Sequence, residues 1–298
     1  MYSQIAANKR NSFILVSLFI LILVGLGAVI GKLTNNFEGW IFGAVIVSLI
    51  MTLFSYFAGD KVALAASGAK EIKKEDNKYL WNVVENLSIT SGMPMPKVYI
   101  IPDNSINAFA TGRNPQKSSI AITVGALSRL GKPELEGVIA HELSHVKNYD
   151  IRLMMLVIIL VGSIALMSDW FLRMQFFRGR NSRDREEGNI GALLFVVGIV
   201  LAILSPVIAQ LIQLAVSRQR EFLADASGAM LTRYPEGLAM ALEKIAAEGT
   251  AMKSANNATA HLYISDPFGK KKISWLHKLF MTHPPLEERI ARLRSMGI

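Results

Sequence analysis

Charge is absent from residues Asn11 to Gly31 and again from Gly39 to Gly59. As helices, both runs are long enough to cross a hydrocarbon core of ~30 Å. The connection between them, Lys32 to Glu38, is short, so they predict a helical hairpin. Leu153 to Ser168 is a third uncharged run, shorter and marginal for a span. Gly188 to Ser217 is a fourth, with Pro206 inside it as a site for a kink. Between the second and third runs the pattern changes. Leu80, Val83, Val84 and Leu87 carry helical spacing within Asp76 to Ser91. Met93-Pro94-Met95-Pro96 breaks that helix. Val98 to Ile101, Ala108 to Thr111 and Ile120 to Thr123 read as short strands, with Gly112 to Ser118 between the last two. Helical material resumes at Leu127 to Arg129. A further helix starts around Pro133, with Glu134 and Glu136 at its positive end, and runs through His141. Residues 218–298 read as helical.

Composition agrees with a membrane protein. The chain of 298 residues is 51% hydrophobic, too apolar for an ordinary soluble domain. The first run with Lys9 and Arg10 before it also fits a signal peptide, but it is long for a signal core and a second span follows at once. It is read as a retained span. More basic residues precede the first run (Lys9, Arg10) than follow it (Lys32), which places the N-terminus inside. Two crossings return the chain inside near Asp60. The Leu172 to Glu187 connector carries Arg173, Arg178, Arg180, Arg183 and Arg185, which conflicts with translocation of that loop. The third and fourth runs therefore span, or form a re-entrant or surface hairpin. Both alternatives begin and end on one side.

The expected organisation is an N-terminal hairpin (1–59), a catalytic part (60–151), a second membrane-embedded hairpin (152–217) and a helical part (218–298). The net charge of +9 fits a cytosolic face beside anionic lipid better than nucleic-acid binding, because the basic residues flank apolar runs and no nucleic-acid motif is present. Lys270-Lys271-Lys272 ahead of Trp275, Leu276, Leu279 and Phe280 fits a membrane interface or a helix packed on the core.

The chain has no cysteine, so a zinc site must use histidine and carboxylate. His141-Glu142-Leu143-Ser144-His145 is an H-E-x-x-H pattern on the predicted helix. Residues four apart share a helix face, so both imidazoles can bind one ion, and Glu142 can reach a water on it. A catalytic zinc takes three protein ligands and keeps a fourth position open. The best third ligand is Glu221, with Asp225 one turn on to take the N–H of a zinc histidine. Ala224 and Ala226 are small enough to let this segment pack closely on the zinc helix. His145 lies just before the third run and Glu221 just after the fourth, so an excursion that returns to its own side brings them together. Asp150 is off the face of His141 and His145 and is read as a cap or tie of the zinc helix, not a ligand. His261 and His277 are left outside the site.

In these residues the chain resembles the HtpX family of bacterial membrane zinc proteases, relatives of the CaaX prenyl proteases. The resemblance covers nearly the whole chain. It rests on the N-terminal hairpin, Asn107-Ala108-Phe109-Ala110-Thr111-Gly112, His141 to His145 with Asp150, Glu221 with Asp225, and Thr282-His283-Pro284-Pro285. It implies an α+β membrane protein, mainly helical, with about four membrane-embedded helices and a zincin-like catalytic domain carrying a small β-sheet. It implies one zinc per chain on His141, His145 and Glu221, and Glu142 as base. It implies cleavage of damaged or misfolded membrane proteins in the bacterial inner membrane, with the active site on the cytosolic side. His283 is the candidate donor to the oxyanion, or an occupant of the open zinc position, or simply the residue before a helix that starts at Pro284. Asn107, Ala108, Phe109 and Ala110 are the candidate edge strand for an extended substrate, or an ordinary strand. Two other readings are a processing enzyme for one dedicated or lipidated substrate, and a scaffold with a stabilising zinc.

Overall fold

The computed structural model describes residues 2–157, 160, 218–252, 262–265, 267 and 284–297. The third apolar run beyond 157 (apart from residue 160), the fourth run, the Lys270 segment, His261, His277 and His283 lie outside the described residues.

Two long helices open the chain, α1 (Tyr2–Leu33) and α2 (Phe37–Ala66). Both are long and apolar enough to cross a membrane. Asn36 caps α2 by accepting from the Gly39 N–H. The helices pack closely: a Cβ on Gly27 would stand 2.7 Å from the Ala44 Cβ. Phe13, Leu21, Phe42, Ile50, Leu53 and Phe57 are exposed on this hairpin. An exposed apolar surface of this size suits lipid, not water. α2 runs past the uncharged stretch to Ala66, carrying Asp60 and Lys61 as continuous helix. The polar part thus begins as an extension of the membrane helix.

A four-stranded sheet follows, in the order β1 (Lys70–Glu71), β2 (Lys97–Ile101), β4 (Lys117–Thr123), β3 (Ala108–Asn114). β3 and β4 form an antiparallel pair; β2 and β4 run parallel. β1 has only two residues, too few to leave an alternating pattern. α3 (Lys78–Ser91) connects β1 to β2 and starts at Asn77, which accepts from the Leu80 N–H. It buries Leu80, Val83, Val84 and Leu87, the positions its spacing marks. After α4 (Val124–Arg129) comes α5 (Lys132–Lys147), the central helix. Glu134 accepts from the Gly131 N–H at the start of α5, which satisfies an end donor beside the positive dipole end. Leu135, Val138, Ile139 and Leu143 of α5 join Ile120, Ile122 and Leu80 in one core. Against α5 pack α6 (Arg218–Thr232), α7 (Pro235–Glu248) and β3. The last described helix is α8 (Leu286–Arg294), which lies on α6 and α7. The described residues are thus mostly helical with one small mixed sheet.

Candidate metal centre

The metal centre is built where α5 and α6 cross. Nearly every residue of α5 from Glu134 to Val146 is buried, so its polar side chains need partners inside the protein. His141 and His145 stand one turn apart with their Nε2 atoms 3.1 Å from each other. Glu221 on α6 reaches the same point: its Oε1 is 3.5 Å from His145 Nε2 and its Oε2 is 3.8 Å from His141 Nε2. Ligand atoms of all three residues fall within 4.8 Å of one another, and all three are buried. Two imidazoles and one carboxylate are the donor set of a catalytic zinc, with a fourth position left over.

The other ring nitrogens are held from behind. His141 Nδ1 lies 2.9 Å from Asp225 Oδ1, and His145 Nδ1 lies 3.0 Å from Asp150 Oδ2. Each carboxylate accepts the Nδ1–H, which leaves Nε2 as the lone-pair donor toward a metal. Asp150, read from sequence as a cap or tie, has this orienting position. It reaches His145 because Tyr149, with φ 62°, turns the chain back just after α5.

Electrostatics suit a cation. Burial works against a charged His145, but the hydrogen bond to Asp150 and the carboxylates of Glu221, Asp150 and Glu142 outweigh it and raise its pKa to about 9. Burial of Asp225 opposes its ionisation too. The Arg289 charge and the His141 contact overcome this and lower its pKa.

Glu142 faces β3. It is fully buried and its pKa is raised, first by desolvation; the nearby histidines and a hydrogen bond from the Ala110 main chain pull the other way. A carboxyl raised in this manner suits a group that accepts and returns a proton.

β3 is an edge strand of the sheet among the described residues, yet part of its outer edge is covered. The Ile264 N–H donates to the Ala108 carbonyl at 3.0 Å, and Asn107 Nδ2 donates to the Ser265 carbonyl at 3.3 Å. Tyr263 meets Phe109 edge to face, at 5.2 Å between ring centroids. The candidate edge strand Asn107 to Ala110 therefore carries a stretch of the chain's own backbone along part of its length.

α6 lies close against the zinc helix at Gly228, where an added Cβ would stand 3.0 Å from the His141 backbone N. Ala224 is buried in this packing, whereas Ala226 faces partly outward. Backbone cannot yield as a side-chain end can. Gly228→Ala is expected to push α6 off α5, cost about 1–3 kcal/mol and weaken zinc binding through Glu221 on the same helix. Thermal unfolding with and without zinc measures both.

Sequence reading missed Arg289. This residue of α8 is 0% exposed. Its Nε and Nη2 donate to Asp225 at 2.9 and 2.7 Å, its Nη1 donates to the Ile264 carbonyl at 3.1 Å, and Nη1 also lies 3.4 Å from Glu221 Oε2. The signal was present. Arg289 is three residues after Leu286 and four before Leu293, so a charge sits on the apolar face of an amphipathic helix.

Known proteins match the chain over most of its length. The model of peptidase family M48 matches residues 74–297. This chain belongs to peptidase family M48. The M48 chain is 47% identical to a Protease HtpX homolog of Dictyoglomus turgidum, covering 99% of this chain and 95% of that protein. It is also 47% identical to one from Tropheryma whipplei, covering 100% and 99%. The crystal structure of S. mikatae Ste24p matches with a TM-score of 0.51 at 17% identity, over 98% of this chain and 67% of that one, a likeness of fold. The protein is thus a metallopeptidase of a zinc-dependent family, with a buried His-His-Glu group that fits one zinc ion.

Proposed function

We propose that this M48 peptidase is a membrane-embedded zinc endopeptidase that cleaves damaged or misfolded membrane proteins at the cytosolic surface of the bacterial inner membrane. One observation carries the reading: a buried His141–His145–Glu221 group with Glu142 beside it, in a chain that opens with two membrane-length helices. A stabilising zinc site has no use for a buried carboxyl held next to the ligands, whereas hydrolysis has.

Zinc bound by His141, His145 and Glu221 supplies a lowered pKa for water and polarisation of the scissile carbonyl. Glu142 takes the proton of the attacking water and hands it to the leaving amine. Asp225 and Asp150 keep Nε2 of the two histidines aimed inward. His283 is our candidate for a donor to the developing oxyanion. An extended substrate takes the place of the Ile264 segment on β3 and donates its own peptide N–H to the Ala108 carbonyl. Main-chain recognition explains tolerance of many sequences, as quality control requires.

Proteolysis of an unfolded membrane protein in detergent tests this, with the purified enzyme stripped of metal and then given zinc. Zinc-dependent cleavage at many sites is expected. Cleavage of one lipidated or processed substrate alone would replace quality control with dedicated processing. Stoichiometric zinc without any hydrolysis would leave a scaffold.

A further inference from the structure

A side chain of the membrane hairpin reaches the carboxylate behind a zinc-site histidine. Asn8, in the first turns of α1, is 1% exposed. Its Nδ2 donates to Asp150 Oδ1 at 2.6 Å and to the Asn148 carbonyl at 2.8 Å. Asn148 is the C-cap of α5, and Asp150 is the carboxylate that holds His145 Nδ1. Lys9 adds to the same contact, with its ammonium 5.0 Å from the centre of the Tyr149 ring. The start of α1 therefore grips the corner 148–150, where the chain turns immediately after the metal helix.

We propose that Asn8 is a positioning residue of the metal centre, acting through Asp150 on His145. The inference rests on the reading of His145 as a zinc ligand. The geometry gives each Asp150 oxygen a separate task. Oδ2 faces the His145 ring, and Oδ1 takes the Asn8 amide. A carboxylate held at one oxygen only can rotate about its Cβ–Cγ bond; held at both, it keeps Oδ2 on the His145 Nδ1–H. The neighbouring Arg220 lies 4.0 Å from Asp150 Oδ1 and contributes charge at a longer distance. Asn8 contributes the short, directed bond. An asparagine also suits this place better than a charged residue. Aspartate would set two carboxylates against each other, and lysine would add a second cation beside Arg220.

The first membrane-length helix is more than an anchor. Its correct seating completes the support of a zinc ligand, so metal affinity reports whether the hairpin is in place.

The test uses the full-length protein in detergent with zinc as the probe. Zinc affinity is measured by competition with a chromophoric chelator for the wild type, Asn8→Ala, Asn8→Leu, Asp150→Asn and the double variant Asn8→Leu/Asp150→Asn. Leucine keeps an apolar body in an apolar helix, so Asn8→Leu separates lost hydrogen bonding from lost packing. Each Asn8 variant is expected to bind zinc about tenfold more weakly, the low end of what loss of an outer partner costs. Cobalt(II) in place of zinc is expected to show a changed visible spectrum, which a change in packing stability alone would not produce. In the double variant the Asn8→Leu loss should vanish, because both changes act through one carboxylate. Wild-type affinity and an unchanged cobalt spectrum in both Asn8 variants overturn the proposal, as does full additivity with Asp150→Asn. If the wild type itself bound no zinc, or bound it equally after His145→Ala, the metal-site reading would fail first and take this inference with it.

Discussion

Glu142→Gln is expected to hold one zinc per chain and to lose hydrolysis by about 10²–10⁴-fold. Glutamine has nearly the same shape, and its side-chain oxygen can still accept from the Ala110 N–H that Glu142 now takes. What it lacks is the capacity to receive a proton from water and pass it on. The ligands His141, His145 and Glu221 are untouched, so metal content should match the wild type. Folded stability should be equal or higher. The sign follows from the pKa: desolvation raises Glu142 in the folded protein, so its ionised form opposes folding at neutral pH, and a neutral amide removes that opposition. Activity lost together with zinc would make Glu142 a support of the metal rather than a base. Turnover within a few-fold of wild type would remove Glu142 from the chemistry altogether. Metal analysis and turnover on one preparation separate these cases.

The parts of the centre that were legible in the sequence are those in which one helix does the arranging. His141 and His145 share a face because a helix repeats every 3.6 residues, and the same period pairs Glu221 with Asp225. Spacing alone therefore placed a ligand one turn from its neighbour. The hydrophobic stripe of α3 was readable on the same ground. Groups that meet only through tertiary structure were not readable. Arg289 reaches Asp225 across 64 residues of chain, and Asn8 reaches Asp150 across 142. No local period connects such pairs. Asp150 was visible as a polar residue close to the metal helix, but its contact with His145 depends on the left-handed Tyr149, a conformation that a non-glycine residue does not advertise. The cover on β3 belongs to the same class, since Ile264 and Ala108 are joined by one main-chain bond between distant segments. An outermost strand can be inferred from strand order; what lies on its outer edge cannot.

Arg289 shows how much of the centre depends on such a remote contact. Arg289→Met is expected to destabilise the metal-free protein by about 3–5 kcal/mol, the cost of removing one partner from a buried ion pair. Methionine roughly fills the volume, so the loss is electrostatic. Asp225 would keep its contact to His141 but lose both guanidinium hydrogen bonds, and Glu221 would lose the cation 3.4 Å from its Oε2. Two buried carboxylates would then face each other with less positive charge between them. Zinc supplies part of that charge, so the deficit should shrink when the site is loaded, and the zinc-induced rise in Tm should exceed that of the wild type. Arg289→Lys should fall between, because an ammonium keeps the charge but cannot bridge both Asp225 oxygens and the Ile264 carbonyl with one rigid fork. Adding Asp225→Asn to Arg289→Met should recover stability, since removing both charges is cheaper than stranding one. Thermal unfolding of the metal-free and zinc-loaded forms of all four proteins decides it. A metal-free Arg289→Met protein as stable as the wild type would mean that the carboxylates of Asp225 and Glu221 are neutralised by protons rather than by this guanidinium.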